Sequence, residues 1–406
     1  MTRRGFLGAS IAASSASALS AQQVDGANDR LGIGILGCGR RNLLKEVLEF
    51  HRETNVEVRA VCDIWRQARE AAVEQVKEAT AREPKAIHAY EDMFSMNDID
   101  AVVIGTPDHQ HCTQLVAAIA AGKDVYIEKP LAMNMEELLE AVDAVKKSDR
   151  VVQMGTQVRS FPTSKAGREF VQARQLGNIF KIEQSRNSYK PYWHRYGERE
   201  IAAEDTDWKR FLAGRREREW DPDQYAAWYG YREFSRGPQT NLMVHFIDLV
   251  HYITGASFPR RVMTMGGIYR WKDQRNVPDS VECVLDYADE GFLVRYNTTF
   301  GISSNSYLKF LGTRGTLDAT RWGDPWKISG EGIEDEDRIP EDSELAEVES
   351  TPHMKNWLEC LRTRQQPNAP IDAGYGHSVA VIMADESLVR GRRMVYDHGK
   401  REIREG

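Results

Sequence analysis

From residue 31 onward, short apolar runs alternate with segments whose apolar residues recur every three or four positions. The runs at 31–36, 56–62, 101–105, 124–127 and 151–154 read as strands buried on both faces, and 41–51, 67–77, 111–121 and 135–147 as the helices between them. In 41–51, Leu43, Leu44, Val47 and Leu48 share one helical face. Strands and amphipathic helices alternating at this pitch predict βαβ units and an α/β, doubly wound parallel sheet over 31–155. Beyond 156 the rhythm changes. Helices at 165–175 and 241–254 flank an aromatic- and arginine-rich stretch, 189–234, and strand-like runs follow at 261–271, 280–287, 291–300 and 307–311 with turn residues between them. They predict a second, α+β domain over 156–406 with an open, mostly antiparallel sheet. The acidic segment 331–349 reads as a solvated loop, and helices at 354–364 and 374–388 close the chain.

The first residues fit neither rhythm. Thr2-Arg3-Arg4-Gly5-Phe6-Leu7 precedes an uncharged, Ala/Ser-rich run at 8–21, with small residues at Ala16, Ala18 and Ala21 where a signal can be cleaved. This predicts a twin-arginine signal peptide over 1–21, a linker over 22–30, the twin-arginine export machinery as a partner, and a periplasmic or otherwise exported location. The run is too short and too polar for a stable membrane anchor. A length of 406 residues suits two domains, and a net charge of -7 argues against a nucleic-acid partner. The five cysteines, odd in number and without a C-x-x-C pair, form neither a disulfide framework nor a zinc site, and no metal is expected.

Gly37-Cys38-Gly39 lies at the end of the first strand and opens the first helix, where a pyrophosphate can rest on backbone N–H groups once side chains are absent. Asp63 ends the second strand, where a carboxylate accepts from ribose hydroxyls. Together they predict a Rossmann domain that binds NAD. NADP is the alternative, since Arg40, Arg41 and Arg66 could hold a 2′-phosphate. Asn42 stands where the third glycine of the fingerprint is usual. Two more segments end parallel strands: Thr106-Pro107-Asp108-His109-Gln110-His111 and Glu128-Lys129-Pro130. Carboxyl ends of parallel strands are where open α/β sheets bind ligands.

A strand followed by Glu128-Lys129-Pro130 at this distance from the glycine turn resembles the glucose-fructose oxidoreductase, inositol dehydrogenase and MocA (Gfo/Idh/MocA) family. Gln153-Met154-Gly155-Thr156-Gln157 and Phe310-Leu311-Gly312-Thr313-Arg314-Gly315 extend the likeness toward the C-terminal helices. The resemblance implies an NAD(P)-dependent oxidoreductase acting on a secondary hydroxyl of a sugar, sugar derivative or cyclitol. It implies that Lys129 touches both the nicotinamide ribose and the reacting hydroxyl, that Pro130 fixes the turn, often through a cis bond, and that the protein is a homo-oligomer. It places Gly37, Cys38, Gly39, Arg40, Arg41, Asp63, Thr106, Pro107, His109, His111, Glu128, Lys129 and Gln157 at the cofactor.

On the helix 241–254, Asn241, His245, Asp248 and Tyr252 make one polar stripe, which is expected to face a cleft or water. By resemblance His245 is the proton acceptor. The family's usual Asp-x-x-x-His has Asn241 in the acid's place, and an amide can neither serve as an acid nor raise the pKa of a histidine. Lys129, Asn241, His245, Asp248 and Trp193 are thus the expected substrate-binding residues. Trp193, Trp228, Tyr229 and their aromatic neighbours offer flat faces suited to sugar C–H surfaces. Two alternatives stay open: a redox-neutral glycoside hydrolase or lyase that uses tightly bound NAD through a transient ketone, and a non-catalytic sugar- and cofactor-binding protein.

Overall fold

The structure, a computed structural model, describes residues 29–195 and 201–406. The expected export signal, 1–21, and most of the linker lie outside the described residues. Strands β1 (Leu31–Leu36), β2 (Val56–Cys62), β3 (Lys85–Ile87), β4 (Ala101–Ile104), β5 (Asp124–Ile127) and β6 (Val152–Met154) form a parallel sheet in the order β3-β2-β1-β4-β5-β6. The order reverses at β1 and β4, which opens a crevice at their carboxyl ends. β4 and β5 are buried at every position, as their uninterrupted apolar runs require.

The second sheet is mixed. It comprises β7 (Ile179–Ser185), β8 (Arg261–Gly267), β9 (Ser280–Tyr287), β10 (Phe292–Thr299), β11 (Tyr307–Gly312), β12 (Gly315–Asp318), β13 (Lys327–Ser329), β14 (Ser343–Glu344), β15 (Met394–Asp397) and β16 (Glu402–Glu405). Their order is β14-β13-β12-β11-β7-β10-β9-β8-β15-β16, with β7 and β10 parallel and the other pairs antiparallel. The sequence pattern shows β8 to β11 but passes over β7, where the buried Gln184 breaks the apolar alternation, and over β15, which turns only Met394 and Tyr396 inward. One face of β8 to β10 packs on the helices, and the other leaves Met263, Met265, Val284 and Leu293 exposed.

One feature ties the two domains together, and another fixes a helix within the second. The helix His353–Thr363 comes from near the end of the chain yet buries Met354, Trp357, Leu358 and Leu361 in one apolar cluster with Ile33 and Ile35 of the first sheet and Val47 of the helix Leu43–Phe50. The second is ionic. Asp248, 1% exposed, accepts from Arg159 Nε at 2.7 Å and from His377 Nδ1 at 3.1 Å, which fastens the helix Val244–Thr254 to its neighbours. Burial alone would raise the Asp248 pKa, but Arg159 and His377 hold it well below the usual carboxylate range.

Several histidines are sealed in neutral surroundings. Burial lowers His109 and His251 to about 3 and His353 to about 4, from 6.5. Each therefore stabilises the fold above the unfolded value of 6.5 and loses that contribution as the pH falls toward 3 to 4. The urea midpoint is expected to fall below about pH 6.5, with each ring removing up to about 1.4 kcal/mol per pH unit. A midpoint constant down to about pH 5 would show that these rings take up protons without unfolding.

Candidate active site

The crevice at the carboxyl ends of the first sheet is a cavity of about 680 Å³, within the range of small-molecule sites. Its floor is the glycine turn. Gly37 has φ +88, and a Cβ there would lie 2.7 Å from the Gly105 backbone, so this turn and the one after β4 touch only because no side chain intervenes. Gly39 lines the cavity with nothing within 4 Å of where its Cβ would be, which leaves a bare backbone cradle. Asn42, at φ 46, caps the helix Leu43–Phe50 through Lys45 N and so ends the turn without a third glycine.

Asp63 accepts from Cys38 N at 2.7 Å through Oδ2 and from Trp65 N at 2.8 Å through Oδ1. Burial pushes its pKa up, against these two bonds and Arg69. Each oxygen keeps a lone pair for a ribose hydroxyl. Two of the three arginines named above are engaged with carboxylates, Arg66 with Asp205 and Arg41 with Glu46 and, at 2.7 Å, with Glu128, while Arg40 lines the cavity. A bare cradle at a helix amino end, a carboxylate at the end of β2 and engaged arginines fit a dinucleotide without a 2′-phosphate.

The same cavity is lined by Arg40, Thr106, Pro107, Asp108, Glu128, Lys129, Gln157, Asn241 and His245. Lys129 follows β5 and precedes a cis bond to Pro130, and its Nζ donates to the Asn241 carbonyl at 3.4 Å. Burial lowers the Lys129 pKa, opposed by Glu128 and Asp108. Burial, followed by the charges of Lys129 and Arg186, holds His245 well below its usual range, so its ring is neutral. Trp322 lies against His245 with ring centres 6.1 Å apart and carries Arg186 on its face.

Five expected site residues are placed elsewhere. Cys38 contributes its backbone N–H to Asp63, not a side chain to the cavity. His109 packs between Phe211 and Phe234 and meets the Phe211 carbonyl at 2.7 Å. His111 bridges the carbonyls of Pro130 and Thr106, so it fixes the two loops without lining the site. Trp193 is buried in a cluster with Ala227, Val277 and Phe300. Asp248 sits in its ion network, which corrects the expected polar stripe. The turn Gln239–Met243 is π-helical, so Asn241 is out of phase with the α-helix that follows. His245 faces the cavity while Asp248, three residues on, faces Arg159 and His377.

Conversely, sequence spacing does not single out Asp108, Asp205, Trp65, Phe211 or Tyr225. Only Asp108 carries a signal, an acid between Pro107 and His109 at a strand end. Trp65 stands two residues after Asp63, while Phe211 and Tyr225 in the cavity wall, and Asp205 bonded to Arg66 and Gln67, come from the stretch after 201, whose path over the first domain no local pattern reveals.

A parallel sheet with a glycine turn, an acid after its second strand and a lysine and histidine converging from two domains defines a nicotinamide-dependent oxidoreductase fold. Residues 31–156 match the Gfo/Idh/MocA description "Oxidoreductase family, NAD-binding Rossmann fold", and residues 214–395 match its "Oxidoreductase family, C-terminal alpha/beta domain". The two matches cover more than half of the chain, and the protein belongs to the Gfo/Idh/MocA oxidoreductase family. Among curated proteins, "Glycosyl hydrolase family 109 protein 2" of Shewanella sp. (strain ANA-3) is 30% identical over 172 residues, 36% of this chain and 38% of that protein. A glycosyl hydrolase family 109 protein of Shewanella baltica (strain OS155 / ATCC BAA-1091) is 24% identical over 185 residues, 41% of this chain and 40% of that protein. The matched segment thus spans about two fifths of these relatives' length.

Solved structures with the same fold include levoglucosan dehydrogenase in complex with NADH, with a TM-score of 0.67, 16% identity, and coverage of 93% of this chain and 99% of that one. Aldose-aldose oxidoreductase from Caulobacter crescentus gives 0.69 at 17% identity, covering 90% and 99%. The WlbA dehydrogenase from Chromobacterium violaceum, in complex with NADH and UDP-GlcNAcA, gives 0.68 at 22% identity, covering 91% and 96%.

If Gly39 is the bare cradle, Gly39→Val fills it without touching the fold. The variant is expected to melt within about a degree of the native protein while NAD affinity, measured by calorimetry, falls at least about tenfold, roughly 1.4 kcal/mol. Unchanged affinity would remove the glycine turn from the cofactor site.

Proposed function

We propose that the protein is an exported, NAD-dependent enzyme that oxidises a secondary hydroxyl of a sugar or cyclitol and retains its cofactor through turnover. The observation that carries this reading is the convergence of Lys129 and neutral His245, from different domains, in the cavity that also holds the glycine turn. Bound NAD supplies a hydride acceptor. Lys129 donates a hydrogen bond to the reacting oxygen and stabilises the alkoxide charge that develops there. His245, uncharged and facing the cavity, accepts the hydroxyl proton. Gly39, Asp63 and Gln157 line the space a dinucleotide would fill, and the aromatic side chains of Trp228 and Tyr229 offer flat faces to a carbohydrate.

Retention is supported by a segment of the second domain that closes one wall of the cavity beside Asp63. Thr206 bridges to Trp65, Asp207 N donates to the Ile64 carbonyl at 3.2 Å, and Asp205 accepts from Arg66 and Gln67. Arg210 pairs with Glu91 at 2.9 Å, and the Phe211 carbonyl accepts from Gln110 at 2.9 Å. These contacts stand beside the space a dinucleotide would fill and would slow its departure. Retention is also what export of an already folded protein needs, because free NAD is scarce outside the inner membrane. The exposed apolar face of β8 to β10 is consistent with pairing of two copies.

A redox-neutral second reading, glycoside cleavage with the hydride returned, is favoured by Asn241, which offers no acid of its own, and by the partial likeness to glycosyl hydrolase family 109 proteins. One experiment separates the two. Protein purified from the periplasm is denatured and its released NAD(H) measured, and the native protein is screened by mass spectrometry against free sugars and glycosides without added cofactor. Stoichiometric NAD and oxidation of a free sugar coupled to a second acceptor support the first reading, and glycoside cleavage with no net redox change supports the second. Empty protein that works only with excess NAD would sink retention. Lys129→Ala and His245→Ala are each expected to lower kcat about 10²- to 10⁴-fold with cofactor binding largely intact. Near-normal kcat in either variant would remove that residue from the reaction.

A further inference from the structure

Asp108 is the acid in the cavity to which neither the sequence pattern nor the reading above gives a task. It follows β4, is 4% exposed, and lines the cavity with Lys129, Asn241 and His245. Its Oδ2 accepts from Ser235 Oγ at 2.9 Å and lies 3.4 Å from Asn241 Nδ2. Both partners are neutral. The Asn241 amide also donates toward Ser235 Oγ at 2.8 Å and the Gly237 carbonyl at 3.2 Å, and a carbonyl can only accept, which fixes the NH2 end toward Asp108. The backbone carbonyl of Asn241 is the group to which Lys129 Nζ donates. A carboxylate, an amide and the lysine are thus joined through one residue.

A carboxylate buried among neutral donors is costly unless a cation nearby returns part of that cost. The charged groups that face Lys129 are Glu128 from its own strand end, Asp108 after β4, Arg41 beside the glycine turn, Arg186 after β7 and, uncharged, His245 from its helix. Glu128 is already paired with Arg41 at 2.7 Å, and Arg186 repels the ammonium. Burial pushes the Asp108 pKa up, opposed by the charges of Lys129 and His111 and by the bond from Ser235, and Arg236 faces the same carboxylate. Of the two carboxylates at Lys129, only Asp108 is without an arginine bonded to it.

We propose that Asp108 is a positioning residue of the reaction: its carboxylate keeps the Lys129 side chain an ammonium at neutral pH and anchors Asn241, whose carbonyl receives that ammonium. The role rests on the reading of Lys129 as the group that meets the substrate oxygen. Without Asp108, burial and Arg186 act on the lysine with weaker opposition, and it loses its proton at lower pH. A neutral amine is a poorer donor to a developing alkoxide. The effect therefore falls on kcat and on the alkaline side of the pH profile more than on KM.

The primary test does not need turnover. The rate at which an amine-acylating reagent modifies Lys129, followed by mass spectrometry of its peptide, reports the fraction of free amine at each pH. In Asp108→Asn the midpoint of that curve is expected to move down by about one pH unit or more. The exchange variant Asp108→Asn/Asn241→Asp, which swaps carboxylate and amide across the same contact, is expected to return it toward the native position. Asp108→Ser removes the same charge with a smaller side chain and is expected to move the midpoint down as well, so the proposal remains testable if Asp108→Asn fails to fold. A Lys129 curve that is unmoved in Asp108→Asn, or in Asp108→Ser when the first variant does not fold, overturns the proposal. Once a substrate is known, the alkaline limb of kcat is expected to follow the labelling midpoint in each variant. Should labelling shift while Lys129→Ala keeps normal turnover, Asp108 controls the charge of a lysine the reaction does not use. That outcome overturns the assigned role and the reading of Lys129 with it, whereas unmoved labelling with an inactive Lys129→Ala overturns the role of Asp108 alone.

Discussion

The close approach of two turns governs this molecule. Where Gly37 passes Gly105, the ends of β1 and β4 come together with no room for a side chain, and the cofactor cradle and the segment from Thr106 to His111 become neighbours. His111 then joins that segment to the loop after β5 through the carbonyls of Thr106 and Pro130. Lys129, one residue before that proline, is placed by the same joint. A methyl group at residue 37 would push apart the parts of the site that belong to three different strands. The left-handed backbone there adds a second reason for glycine.

Holding the His245 helix in place within the second domain is a separate problem, solved with polar groups. His245 comes from a helix that must stay in register with a sheet on another domain, and the buried Asp248, Arg159 and His377 hold it from the side away from the cavity. Replacing one partner of such a cluster leaves an uncompensated buried charge, at a cost of about 3–5 kcal/mol. The arrangement separates duties along one helix: one turn presents a neutral ring to the cavity, and the next anchors it.

Much of this could be read from residue order. Five of the six strands of the first sheet are legible because parallel strands covered by helices are written as unbroken apolar runs, with the glycine turn, Asp63 and Lys129 at the run ends where ligands bind. The short, exposed β3 carries no such run. What escapes is what the chain does over long distances. Asp248 and His245 look alike in a helical projection, because nothing local shows that Arg159 and His377 arrive on one side only. The π-helical turn at Gln239–Met243 shifts the phase of Asn241, and the sequence carries no mark of it. Trp193 has the composition of a sugar platform but packs against Phe300, more than a hundred residues away. Gln184 hides β7 because a buried polar residue in a strand breaks the rule by which strands are recognised.

The helix His353–Thr363 bears on how the chain is made. Trp357 and Leu358 complete the apolar layer over Ile33 and Val47, so the first domain to leave the ribosome is also the one that waits longest for its final wall. That closure joins residues roughly three hundred positions apart, the kind of long-range contact that slows folding. Until it forms, the nascent N-terminal sheet exposes one oily face, and the early-synthesised half resembles a room whose last panel arrives about three hundred residues later. A piece cut after β6 would lack that panel. The two recognisable halves therefore share one apolar layer, and exchanging the cofactor domain for another's would mean moving the helix His353–Thr363 as well.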